Sequence, residues 1–382
     1  MMATAKNTLQ QLHDHGQSPW LDYITRDILK NGRLQELIEL GILGLTSNPT
    51  IFEKAISGSQ LYDDELRRLV REGKSVDEIY DALVLDDIRA ASSILRPVYD
   101  RTNGRDGLVS IEEPPRLAYD TPQSIEEARR LFHYLNLPNV MIKIPGTPAG
   151  ISAFRQVISE GINVNVTLVF SLESYRKVAE AYIAGLEERA AAGRPIERIA
   201  SVASFFVSRV DTAVDNKLDK LIAATDDEAR KNELRALQGK AAIANAKLAY
   251  DAYKEIFAGP RWDALAQKGA RTQRCLWAST STKNPKYRDI LYAEQLIGPD
   301  TVDTMPPQTI KAFLDHAVVQ RTVDKDVDQA RAALAAIEKA GISMDEVTLR
   351  LQKDGVKQFA DSFDELIDAI SARRQEMMAH AH

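Results

Sequence analysis

Short apolar runs alternate with longer stretches of helical periodicity along most of this chain. Val140-Met141-Ile142-Lys143-Ile144-Pro145 is one such run, and its length and make-up predict a buried strand. Residues 20–24 form the first, with Asp22 inside it, and residues 44–49 the second, carrying Asn48 and stopped by Pro49. Residues 108–112 end on Glu112, just before Glu113-Pro114-Pro115. Residues 162–170 alternate with period two, which predicts Asn163, Asn165 and Thr167 on one face. Residues 199–206, 274–279 and 301–305 complete the series, the last and weakest lying before Pro306-Pro307.

The intervening segments carry helix signals. Ser75-Val76-Asp77-Glu78 and Ser124-Ile125-Glu126-Glu127 both have capping-box spacing. Ser171 is placed to cap a helix reaching about Ala190, closed by Gly193 and Pro195. Residues 207–273 are too many for one crossover helix. They predict a helix from Asp211 to about Ala224 and an Ala-rich helix from Leu234 to Phe257. A polar or helical lead-in is expected before the first run, and a mobile polar tail from Met377 to His382.

Strands of this length alternating with helices imply parallel pairing through right-handed crossovers. Eight of them predict a closed α/β (β/α)8 TIM barrel with additional helices. An open doubly wound sheet would lean on a glycine-rich phosphate turn, and the chain has no G-x-G-x-x-G. The expected organisation is one barrel domain over residues 1–382. Helical insertions fall at about 59–101 and 211–270, and C-terminal helices at about 306–376.

Composition narrows the class. The 382 residues are 44% hydrophobic and 27% charged, ordinary for a globular protein, with neither a membrane span nor a signal peptide in view. A net charge of −6 and the lack of a basic aromatic stripe argue against nucleic acid. One cysteine, Cys275, excludes an intramolecular disulfide and suits a reducing cytoplasm. His13, His15, His380 and His382 lie near the termini and His133 and His316 in predicted helices, so no metal site is expected.

Chemistry enters with Lys143. An ammonium inside an apolar strand carries a desolvation cost, and a free amine at a strand end is what Schiff-base chemistry requires. Glu112 and Asn165 lie on the flanking strands, with Thr167 beyond, and Asp22 and Asn48 on the strands before. Carboxylates in different settings can divide the proton transfers such a reaction needs. Each residue has a structural use as well: Asn48 before Pro49 suits a turn, and Lys143 could extend to water. Ser204 and Arg209 flank the end of the sixth strand, and Ser281 and Lys283 follow the seventh, in the region where barrels commonly hold phosphate groups.

At these positions the chain resembles the transaldolase family, in its longer bacterial-type branch. The resemblance rests on Leu45-Thr46-Ser47-Asn48-Pro49-Thr50-Ile51-Phe52, Val109-Ser110-Ile111-Glu112, Ile142-Lys143-Ile144-Pro145-Gly146-Thr147, Gly161-Ile162-Asn163-Val164-Asn165-Val166-Thr167-Leu168 and Ser204-Phe205-Phe206-Val207-Ser208-Arg209. It implies transfer of a dihydroxyacetone unit from sedoheptulose 7-phosphate or fructose 6-phosphate to an aldose phosphate, without a cofactor. By resemblance Lys143 is the Schiff-base nucleophile and Asp22 the acid/base at the cleaved position. Glu112 activates a water that Thr167 helps to hold. Asn48 and Asn165 bind the dihydroxyacetone portion. Ser204, Arg209, Lys283 and Ser281 grip the phosphate, and Phe206 walls the site. Lys283 stands where shorter members carry arginine.

Two other readings of the same lysine stay open at this stage. One is a Schiff-base aldolase resembling fructose 6-phosphate aldolase, which would release product without an acceptor. The other is a barrel holding pyridoxal phosphate on Lys143. The expected partners are phosphorylated sugars, with no membrane or nucleic acid, and the chain is expected to act as a monomer or homodimer.

Overall fold

A computed structural model describes residues 6–379. Eight parallel strands close into a barrel in sequence order: β1 (Gln17–Asp22), β2 (Gly44–Thr46), β3 (Val109–Glu112), β4 (Val140–Pro145), β5 (Val164–Val169), β6 (Ser201–Phe206), β7 (Arg274–Ala278) and β8 (Thr301–Met305). β8 pairs with β1 to complete the ring. This is the (β/α)8 barrel expected from the alternation of runs. No helix among the described residues is long and apolar enough to cross a membrane.

The barrel is filled rather than hollow. At its N-terminal end Arg274 donates to Ser18 Oγ and Asp106, and Asp106 also accepts from Trp20 Nε1 at 3.1 Å. The Trp20 ring then occupies the next level. A Cβ on Gly44 would meet that ring at 2.5 Å, so only glycine fits opposite it. This polar plug explains why β1 begins at Gln17 rather than Trp20: Gln17 and Ser18 are buried polar residues serving the floor. Asn163 belongs to this end too, bonded to Pro138 O and Ala200 N just before β5. It does not join Asn165 and Thr167 near the chemistry.

Helix boundaries follow local capping. Ser75 and Glu78 form the expected box before Val76–Arg101, and Ser171 caps Leu172–Ala191. The second expected box is corrected. The helix Thr121–Leu135 starts earlier, capped by Asp120, because Pro122 fits its first turn. Ser124 is instead buried and donates to Glu113 Oε1 at 2.7 Å. The Ala-rich segment is two helices, Glu228–Leu237 and Ala241–Ile256. They are separated at Gly239 (φ 68°), whose N–H donates to Asp215 at 3.0 Å. At the C-terminus Met344–Ala379 is one continuous helix, so residues 377–379 of the expected tail are helical; residues 380–382 lie outside the described residues, as do residues 1–5 of the lead-in.

That last helix lies across the C-terminal mouth of the barrel. Gln352 Nε2 donates to the carbonyls of Gly146 and Leu168 at 2.9 and 3.1 Å. Leu168 has φ 58°, at a register shift between β5 and β6. Such a bulge at a barrel rim re-aims the side chains beside it. The shift falls directly after Thr167.

Glu113 is fully buried on the far side of β3 from Glu112. Its Oε2 has no hydrogen-bond partner among the described residues, and burial pushes its carboxyl up to about 8. The unfolded chain releases this proton near 4.5, so between those values the folded state holds more protons. The contribution of Glu113 to stability therefore falls as pH rises from about 5 to 8. Glu113→Gln is expected to remove that slope. Urea unfolding at pH 8 should show the variant about 1–3 kcal/mol more stable than the parent, with a smaller gap at pH 5; equal gaps at both values would refute this account of Glu113.

Candidate active site

Register brings the expected residues side by side. Glu112 on β3 pairs with Lys143 on β4, and Lys143 with Asn165 on β5. Lys143 is 5% exposed and Glu112 7%. Lys143 Nζ donates to the Ser47 carbonyl at 2.9 Å and stands 3.1 Å from Glu112 Oε2. That second approach has ion-pair distance but not hydrogen-bond geometry, leaving Oε2 without a hydrogen-bond partner among the described residues. Thr167 Oγ1 is likewise buried and unpartnered among the described residues. β2 ends early for a related reason. Ser47 turns its hydroxyl to Ser110 O, and Asn48 leaves the strand to cap the helix Pro49–Ser57 through Ile51 N.

Asp22, at the end of β1, accepts from Thr46 Oγ1 at 2.8 Å, and Thr46 in turn meets Thr304 Oγ1 at 2.6 Å. Burial raises the Asp22 carboxyl above the ordinary range, opposed by the nearby Lys143 charge and the Thr46 bond. Glu112 is raised for the same reason, with Lys143 again the main opposing influence. A buried and a partly exposed acid thus share one cation. Asn165 donates to Ser110 Oγ and accepts from Ser204 Oγ at 2.7 Å, so both ends of its amide are fixed.

Above this floor opens a cavity of about 860 Å³. Asp22, Asn48, Lys143, Thr167, Ser204, Phe206, Arg209, Ser281 and Lys283 all line it. Glu112 and Asn165 are not among its lining residues; they meet it through Lys143 and Ser204. Phe206 packs on Phe170 with ring centroids 5.0 Å apart, and the Arg209 guanidinium lies 5.4 Å over the Phe206 ring. Arg209 Nη1 donates to Gln358 Oε1 at 2.8 Å, tying the wall to the C-terminal helix. Lys283 is exposed at the rim and donates to Ser281 Oγ.

Several contributors escaped the sequence reading. Thr46 and Ser110 lie two residues before Asn48 and Glu112, on the same inward alternation, and could have been found by counting back along each strand. Thr304 sits in the weakest run. Gln358 and Phe359 line the cavity from a helix more than two hundred residues after Lys143, and no local pattern marks them.

A buried lysine amine, two acids with raised carboxyls and a half-buried guanidinium at one cavity form a set suited to condensation with a carbonyl and the proton transfers that follow. Known proteins resemble the chain over nearly its whole length. The family model described as transaldolase/fructose-6-phosphate aldolase matches residues 19–370. A protein named transaldolase from Trichodesmium erythraeum is 48% identical over 374 residues, covering 97% of this chain and 98% of that one. Transaldolase 1 of Streptomyces avermitilis is 50% identical over 375 residues, 97% of each chain. A transaldolase of Thermobifida fusca is 50% identical over 97% of this chain and 99% of its own. By family model and near full-length identity alike, the chain belongs to the transaldolase/fructose-6-phosphate aldolase family.

Proposed function

We propose that the chain is a transaldolase. It moves a dihydroxyacetone unit from sedoheptulose 7-phosphate or fructose 6-phosphate to glyceraldehyde 3-phosphate or erythrose 4-phosphate. The observation that carries this reading is a buried lysine amine 3.1 Å from a carboxylate, facing a cavity that Asp22 and Arg209 also line.

Lys143 Nζ passes a proton to Glu112 Oε2, 3.1 Å away, and the free amine attacks the ketose carbonyl to give a carbinolamine. Glu112 supplies the proton with which its hydroxyl leaves as water, directly or through a water held with Thr167. Two buried oxygens without a hydrogen bond among the described residues, Glu112 Oε2 beside Lys143 and Thr167 Oγ1, support that assignment. In the iminium, Asp22 takes the C4 hydroxyl proton as the C3–C4 bond breaks. The bonding pair moves to C3 and neutralises the iminium as an enamine, and the aldose phosphate departs. The raised Asp22 carboxyl suits a group that must both take and return a proton. The acceptor aldehyde is then attacked by C3, Asp22 protonates the new alkoxide, and water releases Lys143.

Asn48 Nδ2 binds the three-carbon fragment, with Asn165 behind the wall acting through Ser204. Arg209 holds the phosphate, with Lys283 and Ser281 at the rim. Ser204 donates to Asn165 and so orients that amide, while lining the cavity where the phosphate would enter. Phe206 gives the enamine an apolar neighbour, which favours transfer over loss to water. A cytoplasmic location accords with the single free, buried cysteine.

In a coupled assay, fructose 6-phosphate should yield glyceraldehyde 3-phosphate only when erythrose 4-phosphate is present. Comparable turnover without an acceptor, with free dihydroxyacetone accumulating, would assign the chain to the aldolase side of the family. Arg209→Ala should lower kcat/KM for fructose 6-phosphate by about 2–4 kcal/mol in transition-state free energy, mostly through KM. Fructose without a phosphate should be little affected; an equal loss on both sugars would remove Arg209 from the phosphate site.

A further inference from the structure

At the opposite end of the barrel, the starts of β6 and β7 and the turn leading into β3 enclose a second cavity of about 280 Å³. Its charged lining is Arg105, Arg271 and Arg274, and no carboxylate lines it. Two of these guanidiniums have acidic partners: Arg274 meets Asp106 at 3.1 Å and Arg105 meets Asp300 at 2.7 Å. Arg271 forms no ion pair among the described residues. Its Nη2 donates to the Asn103 carbonyl, while Nη1 is buried and finds no hydrogen-bond partner. Burial and the nearby charges of Arg198 and Arg105 all disfavour the cation. A desolvated N–H of this kind is costly unless something accepts from it. Thr272, also in the lining, accepts from Tyr253 and so keeps its own hydroxyl proton to donate.

We propose that this cavity is a second anion site that takes a phosphoryl dianion, as inorganic phosphate or as the phosphate of a short phosphosugar. A planar guanidinium fork matches phosphate oxygens, and neighbouring arginines supply the field that concentrates a dianion there. The volume admits a phosphate with a few carbons, far less than the 860 Å³ of the catalytic cavity. The occupant would rest beside the Arg274–Asp106–Trp20 plug, and its binding would therefore stabilise the barrel floor.

Equilibrium dialysis with radiolabelled phosphate tests the site. The parent chain should bind one equivalent more than Arg271→Gln, and Arg209→Ala should retain the equivalent that Arg271→Gln loses. Arg271→Lys, which keeps the charge but not the fork, should bind at least about tenfold more weakly than the parent at this site. Circular dichroism of each variant establishes that loss of binding is not loss of fold. Displacement of the label from Arg209→Ala by glycerol 3-phosphate would show that a phosphosugar enters; no displacement would restrict the site to the free ion. Undiminished phosphate binding by Arg271→Gln, or no binding by Arg209→Ala, would overturn the proposal.

Discussion

Glu112 and Lys143 face each other across adjacent parallel strands, 3.1 Å apart and nearly sealed from water. A buried pair of this kind costs desolvation on both sides, and the barrel around it has to supply the compensation. It does so with fixed dipoles: the Ser47 carbonyl accepts from the amine, and Ser47 itself is anchored to Ser110. Removing either charged partner would strand the other, a loss of about 3–5 kcal/mol in comparable settings. The pair is therefore a constraint on the fold as much as a feature of the chemistry. β2 must end at Thr46 so that its next carbonyl reaches the amine, and β3 must stand in register with β4.

The mouth of the barrel is built by parts distant in sequence. The helix Met344–Ala379 fastens strand ends through Gln352, and Gly355 lets it approach Leu168 closely, since a Cβ there would meet the leucine at 2.8 Å. One turn on, Gln358 holds Arg209 beside Phe206. The same helix thus contacts the strand that carries Thr167 and the arginine proposed to bind phosphate. In the proposed mechanism, substrate phosphate would exchange contacts with Gln358, coupling occupancy to the position of this helix.

Strand order, closure and most inward polar residues were legible because short apolar runs ending in polar side chains leave a period-two signature. Lys143, Glu112, Thr167 and Asp22 could be read from it. Strand starts were less legible. Gln17 and Ser18 are polar yet buried, since Leu296 and Thr301 meet the first, and Asp106 and Arg274 the second, from loops and strands far along the chain. Asn163 has the right parity but the wrong height, which alternation alone does not encode. The capping spacing at Ser124 was outcompeted by Asp120 and Pro122, and Gly239 broke a helix whose alanines suggested continuity. Gln358 left no trace, because its function depends on where a long helix crosses the barrel.

Borohydride reduction in the presence of fructose 6-phosphate, followed by peptide mapping, tests the central claim most directly. The account predicts a three-carbon adduct on a single lysine, in the peptide that contains Lys143. An adduct confined to another lysine, or turnover with no reducible lysine adduct at all, would contradict it.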